Sequence, residues 1–317
     1  MSHQGGIKAV LAAMAANIAI AVMKLIGWLL TGAASMLAEA IHSFADCVNQ
    51  ILILIGSKTS QKPATPLHPF GFGRDRYLSA FLVAIILFSA GGLFACAEAF
   101  NKFREVQAGH PNTLLESTWW WVPLVILAGA AVAESLSLRT AVRESRPVKG
   151  RLGWFRFIRV AKAPELPVIL LEDTAALTGL AFALIGVGMT LLTGSGYWDA
   201  AGSAAIGLLL LVVAVILATE TRSLLIGEAA ADETLAQIEQ ALTSTPGIGR
   251  LIYLKTEHVS PDQILVAAKV AVAPTETAAA VAAIIDAAEV AIRTASPLVG
   301  PIYLEPDIWR EPGKESA

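Results

Sequence analysis

The sequence predicts a helical membrane protein with six spanning segments, followed by a small α+β domain. Of its 317 residues, 55% are hydrophobic and only 15% are charged, and its mean hydropathy is +0.63. These values lie outside the usual range for soluble globular proteins. A helix needs about 20 mostly apolar residues to cross a bilayer. Windows of that length occur at 7–30, 34–57, 77–100, 119–138, 166–193 and 200–219.

The distribution of basic residues predicts the orientation of these spans. Lysine and arginine are concentrated in the segments 58–76 and 139–165, and the loops on the opposite side contain few of them. Basic loops remain in the cytoplasm, so both segments should be cytoplasmic, and an even number of spans places both termini there. Segment 139–165 also contains Trp154 and Phe155 among its arginines, a mixture that we interpret as a topology anchor at the lipid headgroups.

The apolar density falls after Gly227, where a smaller domain is predicted. We expect a helix at 232–244, strands at 250–257 and 263–272, a helix at 275–295 and a last strand at 301–305. The second of these helices is interrupted by Pro274, Asp286 and Arg293, which argues against a seventh span. The predicted domains are therefore a six-helix membrane domain over 1–227 and an α+β domain over 228–317.

Composition also excludes several classes of function. The formal net charge of -3 gives no basic excess, so no nucleic-acid partner is expected. The two cysteines, Cys47 and Cys96, lie in apolar runs without C-x-x-C spacing, so neither a zinc ribbon nor a structural disulfide is expected. The first apolar stretch is interpreted as a spanning helix and not as a removable signal.

Ionisable residues inside a bilayer are costly and are functional candidates by default. In the second span, Glu39, His42 and Asp46 are spaced by three and four residues and therefore share one helix face, which Gln50 extends. An imidazole and a carboxylate one turn apart make half of a tetrahedral nitrogen and oxygen metal site. The alternative is that His42 and Asp46 only stabilise helix packing through hydrogen bonds.

The fifth span offers the other half of such a site. Glu172 and Asp173 are adjacent carboxylates in an apolar run. Neighbouring helix positions diverge by about 100°, so only one of the two can point squarely at the second span. Asp173 is the predicted ligand, with Glu172 as a second ligand or a proton acceptor. Lys24, Glu98 and Glu134 are interpreted as structural ion pairs or as side chains that extend to the membrane surface.

The chain resembles the cation diffusion facilitators, also called cation efflux proteins. The resemblance is carried by Lys24, by the run from Ser35 to Asp46, by the loop His68-Pro69-Phe70-Gly71-Phe72-Gly73-Arg74 and by Leu224-Leu225-Ile226-Gly227-Glu228. It implies proton-coupled export of zinc or a related divalent ion from the cytoplasm by a homodimer in a lipid bilayer. It also implies that the last domain is a cytoplasmic dimerisation domain of the ferredoxin-like, metallochaperone-like type.

Residue by residue, His42 and Asp46 match the transport-site H-x-x-x-D of the family, and Asp173 matches the aspartate of its fifth span. The family places a histidine or aspartate four residues earlier, where this chain has Ile169. Glu172, Gln50 or water would replace that ligand. The run Leu170-Leu171-Glu172-Asp173 resembles a branch that includes a mitochondrial zinc-transporter-like member. Zinc is the first candidate, and manganese, iron and cobalt stay open because the site has one imidazole; no permanently bound cofactor is expected.

Additional metal sites of the family look degraded in this chain. His68 remains in the loop after the second span, but Phe72 stands where some relatives have histidine. In the small domain, His258 beside Glu257 is interpreted as a satisfied surface group. We therefore do not expect metal binding in that domain to close a dimer. We do expect the domain to dimerise by packing.

Two other functions stay open at this stage. One is a membrane metal sensor or scaffold that transports nothing, and the other is a membrane-embedded hydrolase in which His42, Asp46, Glu172 and Asp173 activate a metal-bound water. The hydrolase lacks a partnered serine or a His-Glu-x-x-His motif. The compact loops and the absence of an evident presequence favour a bacterial inner membrane, with an organelle membrane as the alternative.

Overall fold

The computed structural model describes residues 3–110 and 112–310, with side chains described from Asn17 onward except that of Leu87. The long helices are α1 (His3–Thr31), α2 (Ala34–Ser60), α3 (Asp75–Leu82) continued by a π-helical stretch (Val83–Phe88) and α4 (Ser89–Gln107), α6 (Val122–Lys149), α8 (Glu165–Thr193) and α9 (Tyr197–Ile226). Two short helices, α5 (Thr113–Glu116) and α7 (Trp154–Val160), lie between them.

These helices confirm the predicted class of a multi-pass helical membrane protein. By length and composition, the runs of α2, α3 with α4, α6, α8 and α9 can each cross a membrane. The corresponding part of α1, Asn17–Thr31, is apolar but shorter. The side chains of the predicted first span that precede Asn17 lie outside the described ones. All six predicted windows thus coincide with a long helix.

The chain divides into two compact units, the membrane unit of residues 1–58 and 77–222 and the second unit of residues 59–76 and 223–317. The predicted boundary between 227 and 228 stays a prediction, but the inclusion of 59–76 in the second unit was not foreseen. That segment is held by ion pairs of Arg74 with Glu257 and of Arg76 with Asp262. A loop between two spans therefore packs as part of the smaller unit.

Small residues allow α4 and α9 to approach closely. A Cβ atom added at Gly92 would lie 2.9 Å from the carbonyl oxygen of Gly207, and one added at Gly207 would lie 2.8 Å from that of Gly92. Neither contact leaves room for a side chain. Helices in a membrane commonly pack through small residues, which let their backbones approach closely.

The beginning of α2 is fixed by a side chain from α9. The carboxylate of Asp199 is fully buried and accepts hydrogen bonds from the backbone N–H groups of Ala34, at 2.6 Å, and Ser35, at 3.1 Å. It also accepts one from the hydroxyl of Ser35. The first N–H groups of a helix have no partner within the helix and attract negative charge. Asp199 therefore caps the helix that carries the second-span candidates.

We expect Asp199→Ala to destabilise the membrane unit by about 2–4 kcal/mol, because three donors at the start of α2 lose a charged acceptor. The measurement is thermal unfolding of the purified chain in detergent. Asp199→Asn, which keeps one acceptor oxygen, should fall between the wild type and the alanine variant. An alanine variant that unfolds at the wild-type temperature would contradict this role.

The second unit has the predicted α+β order. Its elements are α10 (Asp232–Thr243), β1 (Arg250–Ser260), β2 (Gln263–Ala271), α11 (Ala278–Ala295) and β3 (Val299–Asp307). The sheet order is β1-β2-β3, with β1 antiparallel and β3 parallel to the central strand β2. Ile238 of α10 and Ile292 of α11 pack with Val266 and Val270 of β2 in a closed core. The predicted helices and strands of this domain are confirmed.

Candidate metal-binding site in the membrane unit

The polar face of α2 is buried as the sequence spacing predicts. Glu39, His42, Asp46 and Asn49 follow one another at intervals of three, four and three residues, and their exposed fractions are 0%, 1%, 6% and 1%. The Nδ1 atom of His42 lies 3.5 Å from Oδ1 of Asp46. The imidazole and the nearest carboxylate are therefore adjacent inside the helical bundle, away from water.

Several polar atoms on this face are buried without a hydrogen-bond partner. They are Oε1 of Glu39, both ring nitrogens of His42, Oδ1 of Asp46, Oδ1 of Asn49 and Oε1 of Gln50. A buried polar atom left unpaired costs about 1–3 kcal/mol, and such atoms are rare in folded proteins. Imidazole nitrogens and carboxylate or amide oxygens are all metal ligands. These buried atoms on α2 are therefore chemically suited to bind a cation.

The two carboxylates of α8 are buried and point to different helices. Glu172 accepts a hydrogen bond from the side-chain amide of Asn49 on α2. Asp173 accepts one from the hydroxyl of Ser137 on α6, at 3.0 Å. The sequence had assigned the direction toward α2 to Asp173, and in the structure the hydrogen bond to α2 is made by Glu172. Both carboxylates still interact electrostatically with Asp46.

The candidate residues lie near one another but do not close around a single point. Among the side chains that the structure describes, no group of three or more from histidine, cysteine, aspartate or glutamate has the geometry to hold a metal ion. The structure brings His42 next to Asp46 and brings Glu172 to α2. Asp173 is held on the α6 side of the same region.

The position of the missing family ligand is apolar in its packing as well as in its sequence. Ile169 packs against a small cluster formed by Ala141 of α6, Phe157 of α7 and Leu170 of α8. It therefore contributes to the contact among three helices. Glu172, which is one turn from that position and reaches α2, and Gln50, whose Oε1 is unpartnered, are the side chains available to replace it.

Sequence reasoning missed two features of this region. The ammonium of Lys24 is bound to Glu39 and Ser43 of α2, which agrees with the structural ion pair considered from the sequence, but these partners were not predicted. Asn49 was not singled out, although it lies three residues after Asp46 and so continues the polar face. The available signals were a lysine in the middle of an apolar span and an asparagine at helical spacing.

The two histidines of the second unit, His68 and His258, contact other protein groups. The rings of His68 and Phe72 are in contact in a tilted arrangement, with their centroids 4.6 Å apart and 57° between their planes. His258 is buried, and its Nδ1 atom lies 3.3 Å from the carbonyl oxygen of Ser260. The expectation that His258 is satisfied agrees with this contact, whereas its expected place on the surface is wrong.

The transmembrane region matches a known family over most of its length. The model of the cation efflux transmembrane domain matches residues 10–226. The chain belongs to the cation efflux family. The matched region contains α2 and α8, and with them all four candidate ligands that the sequence predicted. The family resemblance inferred from short motifs is thereby confirmed.

Curated relatives support the same family. The mouse protein named proton-coupled zinc antiporter SLC30A9, mitochondrial, is 32% identical over 244 residues, which are 76% of this chain and 41% of that protein. The human protein of the same name is 33% identical over 76% of this chain and 41% of its own length. Metal tolerance protein C4 of Arabidopsis thaliana is 26% identical over 82% of this chain and 56% of its length. The chain thus spans about half or less of the length of these relatives.

A glycine on α8 tests whether the geometry of the α2 face matters. A Cβ atom at Gly179 would lie 2.5 Å from Oε1 of Glu39, whereas one at Gly188 on the same helix would meet nothing within 4 Å. We expect Gly179→Ala to displace the carboxylate of Glu39, because a contact this short forces its flexible end to move, and to lower metal flux in proteoliposomes about threefold. Gly188→Ala is the matched control and should transport normally. Equal flux in the two variants would show that Glu39 has room to shift without consequence.

Proposed function

We propose that this chain is a proton-coupled antiporter that exports a divalent transition-metal ion, with Zn²⁺ as the first candidate substrate. The observation that carries the proposal is the buried His42 imidazole on α2, whose two ring nitrogens have no hydrogen-bond partner. It lies beside Asp46, in the membrane unit of a chain that belongs to the cation efflux family. The zinc antiporters named among the relatives support both the substrate and the coupling.

The proposed ligands are His42, Asp46 and Asp173, with Glu172 as a fourth. Zinc prefers imidazole and carboxylate ligands in a tetrahedral arrangement, and a site that leaves one position to water can exchange its metal. A single imidazole among oxygen ligands also admits manganese, iron or cobalt. No permanently bound cofactor is needed, because the metal is the cargo.

The hydrogen bonds to the α8 carboxylates support a way to alternate between empty and loaded states. Asn49 donates to Glu172 and Ser137 donates to Asp173, so each carboxylate has a donor while no metal is bound. Metal binding would exchange these donors for the cation. The helices α2, α6 and α8 would then move slightly together, and the separated ligands would converge.

Competition between metal and protons supplies the coupling. Histidine and carboxylate ligands bind metal only after they lose their protons. Protons that enter from the outer side would expel the metal, and their loss to the cytoplasm would restore the ligands. The two fluxes are thus coupled at the same side chains, without a separate proton pathway.

We infer a homodimer formed through the second unit, with that unit and both termini in the cytoplasm, as the basic loops predict. The mitochondrial relatives favour an organelle membrane over the bacterial inner membrane predicted from the loops. No observation on the described residues favours a hydrolase or a non-transporting sensor.

The test is flux into proteoliposomes that contain the purified chain and carry an imposed pH gradient. Zinc, manganese, cobalt and iron are offered separately, and uptake is followed with an internal metal indicator. Saturable uptake that disappears when the gradient is collapsed supports the antiporter and identifies its substrate. Folded protein that moves none of these ions under any gradient would overturn the proposal and favour the sensor or scaffold.

A further inference from the structure

A lysine from α1 is bound to the polar face of α2. The Nζ atom of Lys24 donates to Oε2 of Glu39 at 2.9 Å and to Oγ of Ser43 at 2.7 Å. The side chains of Lys24 and Glu39 are both 0% exposed. The ammonium group is therefore held entirely inside the protein by two groups on α2.

Stability does not account for this arrangement. Removing two charges from water costs about as much as their attraction returns, and well-packed apolar residues at such places are often equally stabilising. Ionisable groups inside a membrane protein are usually functional for the same reason. The position of the pair along α2 provides an alternative explanation.

The pair lies against the proposed ligands. Glu39 is one helical turn before His42, and Ser43 directly follows His42. Asp46 interacts electrostatically with both Lys24 and Glu39. Any dication bound at His42 and Asp46 therefore experiences the positive charge of Lys24, and Coulomb interactions are strong where water is excluded.

The ion pair with Lys24 also limits the ability of Glu39 to coordinate a metal. Its Oε2 atom is occupied by Lys24, while Oε1 has no hydrogen-bond partner and faces Gly179 of α8. A glutamate one turn from a histidine ligand would otherwise be well placed to coordinate the metal. With Lys24 present, it is neutralised and held toward α1.

We propose that Lys24 is a tethered cation that weakens metal binding at the α2 site by neutralising Glu39 and by keeping Glu39 out of the coordination of the metal. Lys24 is a positioning residue and touches no metal. An exporter must release its metal on the side of the membrane opposite the cytoplasm. By limiting the affinity of the site for metal, Lys24 allows this release. The inference rests on the proposed transport function.

The experiment compares zinc affinity and turnover in full-length variants. Zinc affinity is measured by competition with a fluorescent chelator in detergent, and turnover is measured in proteoliposomes. Lys24→Met should lower the dissociation constant for zinc about tenfold or more, equivalent to at least about 1.4 kcal/mol, and should slow turnover, because release becomes limiting. The double variant Lys24→Met with Glu39→Gln removes both charges and should return the dissociation constant to within about threefold of the wild type.

Two further variants separate this role from simple packing. Lys102 is also a buried lysine, and its ammonium contacts the carbonyl oxygen of Gly32 and the carboxylate of Glu105 instead of the α2 face. Lys102→Met should leave zinc affinity unchanged. Glu39→Gln alone, which leaves Lys24 without its counter-charge, should weaken zinc binding about tenfold.

The outcomes can be told apart. If Lys24→Met binds zinc no more tightly than the wild type, the tethered-cation role is wrong, even if the protein is less stable. If Lys24→Met does not fold, the test is the zinc affinity of Glu39→Gln, which should be weaker than that of the wild type. Unchanged affinity in that variant would overturn the inference. If the wild type itself neither binds nor moves zinc, the proposed function fails first.

Discussion

The Asp46→Asn variant should show no zinc flux above that of empty vesicles under an imposed pH gradient. Asp46 is the buried carboxylate beside His42, and its Oδ1 atom has no hydrogen-bond partner. The amide keeps the shape of the side chain but removes the negative charge that must balance a dication in a water-poor interior. It also removes a group that exchanges a metal ion for a proton, so both transport and its coupling depend on this oxygen.

The control for Asp46→Asn is a membrane carboxylate elsewhere in the bundle. Glu98 of α4 lies beside Asn101 and Glu105 in a pocket that contains none of the proposed ligands. Glu98→Gln should transport at close to the wild-type rate. Wild-type flux from Asp46→Asn, in protein that elutes as a single folded species, would remove Asp46 from the transport site.

Asp173→Asn should lower zinc flux by about 100-fold or more, and Glu172→Gln should lower it by about tenfold. Loss of a charged ligand from a metal site has effects of this size or larger, because the remaining ligands no longer neutralise the ion. Both amides can still accept the hydrogen bonds from Ser137 and Asn49, so the helix contacts are preserved. The measurement is the initial rate of uptake at saturating zinc, with zinc affinity determined in parallel.

Ser137→Ala is the matched control for Asp173→Asn, because it removes the donor to Asp173 and leaves the carboxylate in place. We expect at most about a threefold change in its rate. Comparing Glu172→Gln with Asp173→Asn also shows which of the two carboxylates contributes more to transport. If Glu172→Gln is inactive while Asp173→Asn is active, the ligand assigned by family resemblance is the wrong one of the pair, and the contact of Glu172 with α2 is the better guide.

Much of the fold follows from one-dimensional patterns. The six predicted spans follow from apolar length, and the small domain follows from alternating β-branched residues and breakers such as Pro274. Both signals are local, since a span or strand is defined by its own residues. The shared face of Glu39, His42 and Asp46 was predicted for the same reason, because helical spacing alone places them together.

The features that were missed depend on contacts between distant segments. Whether Glu172 or Asp173 reaches α2 is set by the rotation of α8, which hydropathy does not determine. The engagement of Lys24 requires that α1 pack against α2, and the loop at 59–76 joins the second unit through Arg74 and Glu257. Such pairings are fixed by tertiary packing and cannot be derived from the spacing within one helix.

We propose that the transported ion binds at the α2 face with one imidazole and otherwise oxygen ligands. The most direct measurement is the zinc X-ray absorption spectrum of the loaded chain. The proposal predicts nitrogen and oxygen neighbours at about 2.0–2.2 Å, with the multiple-scattering signature of a single imidazole that disappears in His42→Ala. Sulfur neighbours at about 2.3 Å, or an imidazole signature that persists in His42→Ala, would place the metal elsewhere and contradict the account.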